Sequence, residues 1–131
     1  MSLRISRQHW QALLLELDQA RRQRGLLTYR ALIERLALPV PAMRVLTAAL
    51  EYLAILDAKA KRPLRRALVV SQGATRLPRP GFFEAAQRLG IYAGEPDGVT
   101  AASWHAREVA RIYEFEYPND QAIVVEEPRC E

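Results

Sequence analysis

Apolar residues recur at three- and four-residue steps along most of the chain, the spacing of helices that bury one face. Trp10, Leu13, Leu14, Leu17 and Ala20 form the first stripe. Ser6 stands where a helix cap belongs, Arg21, Arg22 and Arg24 complement the dipole at the far end, and Gly25 suits a stop. Thr28 caps a second helix whose stripe is Tyr29, Leu32, Ile33 and Leu36. Leu38-Pro39-Val40-Pro41 must interrupt it, because proline lacks an amide donor and restricts the residue before it. Pro41 then suits the first turn of a third helix, carrying Met43, Leu46, Leu50, Leu53 and Ala54 and running to about Lys59.

Lys59 to Arg66 reads as a basic connector, and Ala67-Leu68-Val69-Val70-Ser71 as a short β-branched strand. Residues 72–81 are rich in turn formers, Phe82, Phe83, Ala86 and Leu89 mark a short helix, and Gly90 ends it. Glu95-Pro96-Asp97-Gly98 signals a turn. Thr100 is placed to cap a last helix with Trp104, Val109, Ile112 and Tyr113, ended by Tyr117-Pro118-Asn119-Asp120. Gln121 to Val125 reads as a final strand. The expected fold is therefore mainly α: a winged helix-turn-helix with about five helices and a short β wing or small sheet. Residues 1–131 form one expected domain, with the winged core over 28–81 and an acidic C-terminal helix and tail over 91–131.

Charge sharpens this picture by its distribution. Residues 1–90 hold sixteen Arg or Lys against six Asp or Glu, whereas residues 91–131 hold three against nine. Seventeen of the nineteen basic residues are arginine, whose planar fork suits phosphate and guanine edges. Coding bias accounts for an arginine excess but not for the segregation of sign, which points to a polyanion site or to pairing between the two halves. From Lys59 to Arg79 there are seven basic residues and no acid.

In a winged helix-turn-helix the second helix enters the major groove and the wing touches backbone or minor groove. Here the leading end of that helix offers Arg44, Thr47 and Pro41, away from the Met43, Leu46 and Leu50 stripe. The wing spans residues 72–80 and carries Arg76 and Arg79, with Arg65 and Arg66 preceding it. The nucleic-acid-binding set expected is thus Arg44, Thr47, Arg65, Arg66, Arg76 and Arg79, with duplex DNA as partner and a homodimer reading two half-sites.

Three segments carry a family resemblance. Thr28-Tyr29-Arg30-Ala31-Leu32, then Pro41-Ala42-Met43-Arg44-Val45-Leu46, then Leu68-Val69-Val70-Ser71, follow in order and approximate spacing. They resemble the winged helix-turn-helix of alkylguanine alkyltransferase-like proteins, over residues 28–72. The resemblance implies a DNA-binding winged helix with Arg44 at the family's helix-inserting arginine. Where that family has a reactive Pro-Cys-His-Arg, this chain has Pro63-Leu64-Arg65-Arg66, so the alkyl-transfer chemistry does not carry over.

No catalytic residues, metal ligands or cofactor are expected. His9 and His105 are the only histidines, and Cys130 is the only cysteine. His105 and Glu108 share a helix face, but without a third ligand or nucleophile they read as structural. Trp10 and Trp104 read as core, and Tyr113, Phe115 and Tyr117 among acids as a contact segment. The N-terminus lacks an apolar signal region and no apolar run is long enough to span a bilayer, so the expected location is cytoplasmic and no membrane partner is expected. A second reading stands beside DNA binding: a non-catalytic protein-interaction module, of the adaptor, antitoxin or immunity kind, whose acidic C-terminal part covers the basic face.

Overall fold

The first helix begins where Ser6 accepts a hydrogen bond from the His9 amide at 3.1 Å. This computed structural model describes residues 5–72, 77–95 and 98–118. Among them are five α-helices: α1 (Arg7–Arg22), α2 (Tyr29–Leu36), α3 (Ala42–Lys59), α4 (Pro80–Arg88) and α5 (Gly98–Glu114). Two short strands, β1 (Leu27–Thr28) and β2 (Val69–Val70), complete the order. The chain is mainly helical, as its periodicity implies. No helix among the described residues is long and apolar enough to cross a membrane.

The expected caps form at α1 and α2, where Thr28 Oγ1 accepts from the Ala31 amide at 3.0 Å. Helix ends differ more. α1, α2 and α3 are each followed by a left-handed residue that is not glycine: Arg24, Ala37 and Lys61. Gly25 therefore stands one residue beyond the left-handed position, closing α1 as its N–H donates to the Ala20 carbonyl at 2.9 Å. Pro41 takes the N-cap position of α3 rather than its first turn. α5 begins at Gly98, ahead of Thr100.

The expected strand over 67–71 is mostly something else. Arg65–Leu68 form a 3₁₀ turn, and only Val69 and Val70 are extended. The cause lies on α5, where Glu108 accepts the Leu64 amide at 2.7 Å and His105 bonds the Ala67 carbonyl at 2.8 Å. These side chains occupy backbone groups that a longer strand would offer to a neighbour. β2 pairs with β1, in parallel, through Leu27↔Val69 and Thr28↔Val70. The sheet thus clamps the residues before α2 to those after α3. Beyond β2, Ser71 N–H donates to the Leu77 carbonyl at 2.8 Å. Arg76 and the expected strand over 121–125 lie outside the described residues.

One apolar cluster draws on all five helices, including Trp10, Leu13 and Leu17 of α1, Leu32 of α2, Leu46, Leu50 and Leu53 of α3, Phe82 and Phe83 of α4, and Ile112 of α5. Each fully buried side chain of this size contributes about 1.5–3 kcal/mol, so the cluster is the main stabilising term. Both phenylalanines of α4 are interior, because Phe82 meets Trp104 at 5.8 Å and Phe83 meets Tyr92 at 5.3 Å between ring centroids.

Candidate nucleic-acid interface

α2 and α3 are joined through residues 37–41, and α3 leads with a face that its own stripe leaves outside. Arg44 is exposed and Thr47 half-buried there, three residues apart on one side of the helix. No acid lies in the first turn of α3, and no side chain caps its leading amides. The positive end of the helix dipole and the Arg44 charge therefore reinforce each other. Glu51 continues the same side four residues after Thr47.

Arg79 is exposed at the N-cap of α4 and is fixed from behind. Its amide donates to the Tyr29 hydroxyl at 3.1 Å, and its guanidinium carbon stands 5.8 Å from the Tyr29 ring centroid. Tyr29 opens α2 directly after β1, so the sheet, α2 and the start of α4 are tied at one residue. Arg30, beside it in sequence, is exposed.

Arg65 and Arg66 are placed differently from the sequence expectation. Arg65 is 5% exposed and Arg66 1% exposed. Strand alternation would have sent one outward, but the 3₁₀ turn and the groups around it take both inward. Asp57, with no exposure, accepts from Arg65 Nη2 at 2.8 Å, from the Arg65 amide at 3.0 Å and from Arg62 Nε at 2.6 Å. The Tyr117 ring lies 4.5 Å from the Arg65 guanidinium carbon, and its hydroxyl donates to the Pro63 carbonyl at 2.7 Å. Burial first, and then the Asp57 charge, push the Tyr117 phenol above its ordinary pKa, against the pull of Arg65. The aromatic segment thus covers a basic neighbourhood: Arg21 donates to the Phe115 carbonyl at 2.9 Å, and Arg24 pairs with Glu114 at 2.6 Å.

Arg66 is held without acceptors for two of its nitrogens among the described residues: Nε and Nη1 are buried and unbonded. Its guanidinium carbon lies 5.7 Å from the Phe82 ring centroid. Burial pulls its pKa below the usual arginine value, opposed by Tyr29, whose hydroxyl is also its hydrogen-bond partner, and by the Glu51 charge.

His105 is buried, and since a carbonyl only accepts, its Nε2 carries the proton shared with Ala67. Burial lowers its pKa, opposed by that bond and by Glu108. Glu108 also takes Arg111 at 2.6 Å, and with His105 it ties α5 to the turn after α3. Among the described residues, no three His, Cys, Asp or Glu side chains gather closely enough to hold a metal ion.

The structure therefore leaves Arg44, Thr47 and Arg79 at or near the surface and takes Arg65 and Arg66 inside. Asp57, Glu108 and Tyr29 are the polar anchors that charge counting missed. A signal for two of them exists: Asp57 follows Leu50, Leu53 and Ala54 in core register, and Glu108 lies between Ala101 and Ile112 in the same way. Comparison with known proteins finds no matching family, no matching curated protein and no matching solved structure.

Proposed function

We propose that this chain is a duplex-DNA-binding protein of winged-helix type, acting without catalysis, with α3 as the helix that enters the major groove. The observation that carries the reading is the leading end of α3, where exposed Arg44 and half-buried Thr47 share a side with uncapped amides and no acid in the first turn. Arginine at that place suits the paired acceptors of a guanine edge, and Thr47 a neighbouring base or phosphate. Arg79, braced on Tyr29, supplies a backbone contact, with Arg30 beside that tyrosine as a second phosphate donor. Arg76, which lies outside the described residues, is the wing's other cation on this reading. A homodimer and a regulatory role belong to the same proposal. Anisotropy of a labelled mixed-sequence duplex tests it: the wild type binds, and Arg44→Ala together with Arg79→Ala removes most of the affinity. No binding by the wild type at low salt contradicts it.

A protein-interaction module is the second reading. It is favoured by the engagement of Arg21, Arg24, Arg62 and Arg65 by residues 114–117 and Asp57, which withdraws four cations from any polyanion. Binding to a protein partner with no affinity for duplex DNA is its distinguishing outcome.

A further inference from the structure

α5 ends at Glu114, and the aromatic residues after it hold the chain against the connector that follows α3. The Phe115 and Tyr117 rings stand 4.6 Å apart between centroids, and the Tyr117 hydroxyl donates to the Pro63 carbonyl at 2.7 Å. Between this run, the outer side of α5 and the connector lies a groove of about 460 Å³. Its walls are three apolar residues, Pro63, Ala110 and Phe115, and three charged ones, Lys61, Arg111 and Glu114. Glu114 already pairs with Arg24, so the groove is left positive. Lys61 is exposed and forms no ion pair among the described residues. Arg111 gives one nitrogen to Glu108 and keeps the rest of its fork for a further acceptor.

Pro118, the last described residue, follows Tyr117 directly and so lies beside this groove. Residues 119–131 continue the sequence outside the described residues, with four acids against one base. Among them Ala122-Ile123-Val124-Val125 stands immediately before Glu126-Glu127. An apolar run followed by two carboxylates complements apolar walls beside two cations. Residues 118–122 separate Tyr117 from Ile123, a reach of about 17 Å when extended. Phe115, one wall of the groove, is only two residues before Tyr117, and Pro118-Asn119-Asp120 is a turn-forming sequence. So short a tether holds the segment at an effective concentration on the order of millimolar. Weak contacts then suffice, and a separate partner must bind more tightly to displace it.

We propose that this groove is the docking site of the chain's own residues 122–127. Ile123, Val124 and Val125 lie against Pro63, Ala110 and Phe115, and Glu126 and Glu127 meet Lys61 and Arg111. Docking withdraws two further cations from any polyanion, in addition to those that residues 114–117 and Asp57 already engage. It rests on the acidic cover of the second reading and names the ground that is covered. A docked segment in a protein with no protein partner would leave the docking standing and sink that reading.

Cys130 is the only cysteine, so a nitroxide placed on it reports where the segment lies in the whole, otherwise unaltered protein. Paramagnetic broadening of the Lys61, Ala110, Arg111 and Phe115 amides, measured by NMR against the reduced label, is the readout. The wild type shows strong broadening there. Glu126→Lys with Glu127→Lys lowers it several-fold while keeping the tether, and so does Lys61→Glu at its exposed position. All three changes together restore most of it, because the opposed charges are exchanged. Broadening that is equal in all four proteins overturns the proposal, since a tether alone then accounts for it. So does a triple variant no better than the others. Broadening that passes from nitroxide-bearing molecules to separately isotope-labelled ones also overturns it, by assigning the groove to the segment of a second copy.

Discussion

Arg65 and Asp57 meet in the interior, with Arg65 Nη2 donating to Asp57 Oδ1 at 2.8 Å and the carboxylate fully out of solvent. This pair changes how the basic stretch after α3 must be read. The seven cations from Lys59 to Arg79 look like a continuous surface field, yet Asp57 lies just upstream and neutralises part of it. Asp57 accepts from two guanidinium groups and one amide, so it holds the connector onto the end of α3. Asp57→Ala should lower stability by about 3–5 kcal/mol, the cost of stranding a buried partner charge. Urea unfolding measures it; a loss well below about 1 kcal/mol would show the network to be dispensable. Asp57→Asn keeps an acceptor for the Arg65 amide and should lose less than Asp57→Ala.

Tyr117 divides into two contributions. Tyr117→Phe removes only the bond to the Pro63 carbonyl and should cost about 1 kcal/mol. Tyr117→Ala also removes the ring over Arg65 and should cost clearly more. Equal losses in the two variants, measured by urea midpoints at a common slope, would show that the ring contributes nothing.

The pH dependence of stability follows from His105. Its folded pKa is lowered, chiefly by burial, so the unfolded chain takes up the proton first as pH falls. The sign is therefore loss of stability below the ordinary imidazole value of about 6.5, continuing down to the lower folded pKa. His105→Gln should remove that slope while keeping a donor for the Ala67 carbonyl. Unfolding curves at neutral and mildly acidic pH compare the two proteins, and a slope that survives in the variant assigns the dependence to other groups.

Ala37 offers a stabilising change. It closes α2 with φ of 51°, a left-handed conformation that costs a residue with a Cβ about 1 kcal/mol relative to glycine. Ala37→Gly should raise the Tm by a few degrees for a chain of this size. A lowered Tm would mean that glycine's greater unfolded-state freedom outweighs the relief.

The helices were legible because their signals are local. Ser6 and Thr28 bond the amides that a cap must bond, and Trp10 to Ala20 and Met43 to Ala54 keep a helical step. What failed depends on partners distant in sequence. The strand over 67–71 shortened because Glu108 and His105, some forty positions on, take the backbone of Leu64 and Ala67. Arg65 and Arg66 look like surface cations by composition, but a 3₁₀ turn carries both inward, and Asp57 and Tyr117 are what make that tolerable for Arg65. Of the candidate interface, Arg44 and Arg79 were legible as exposed positions, while the Tyr29 brace behind Arg79 joins residues fifty apart and leaves no periodic trace.

The most direct test of the central claim is duplex binding by anisotropy across a salt series, for the wild type, Arg44→Ala, Arg79→Ala and Arg107→Ala. Arg107 is exposed on α5 and serves as a charge-matched control. The account predicts steeply salt-dependent binding by the wild type and by Arg107→Ala. Arg44→Ala should lose about 1–3 kcal/mol with relaxed sequence preference, and Arg79→Ala should reduce the salt slope by about one. Absence of binding at low salt, or equal loss in all three variants, would contradict a DNA interface at the leading end of α3.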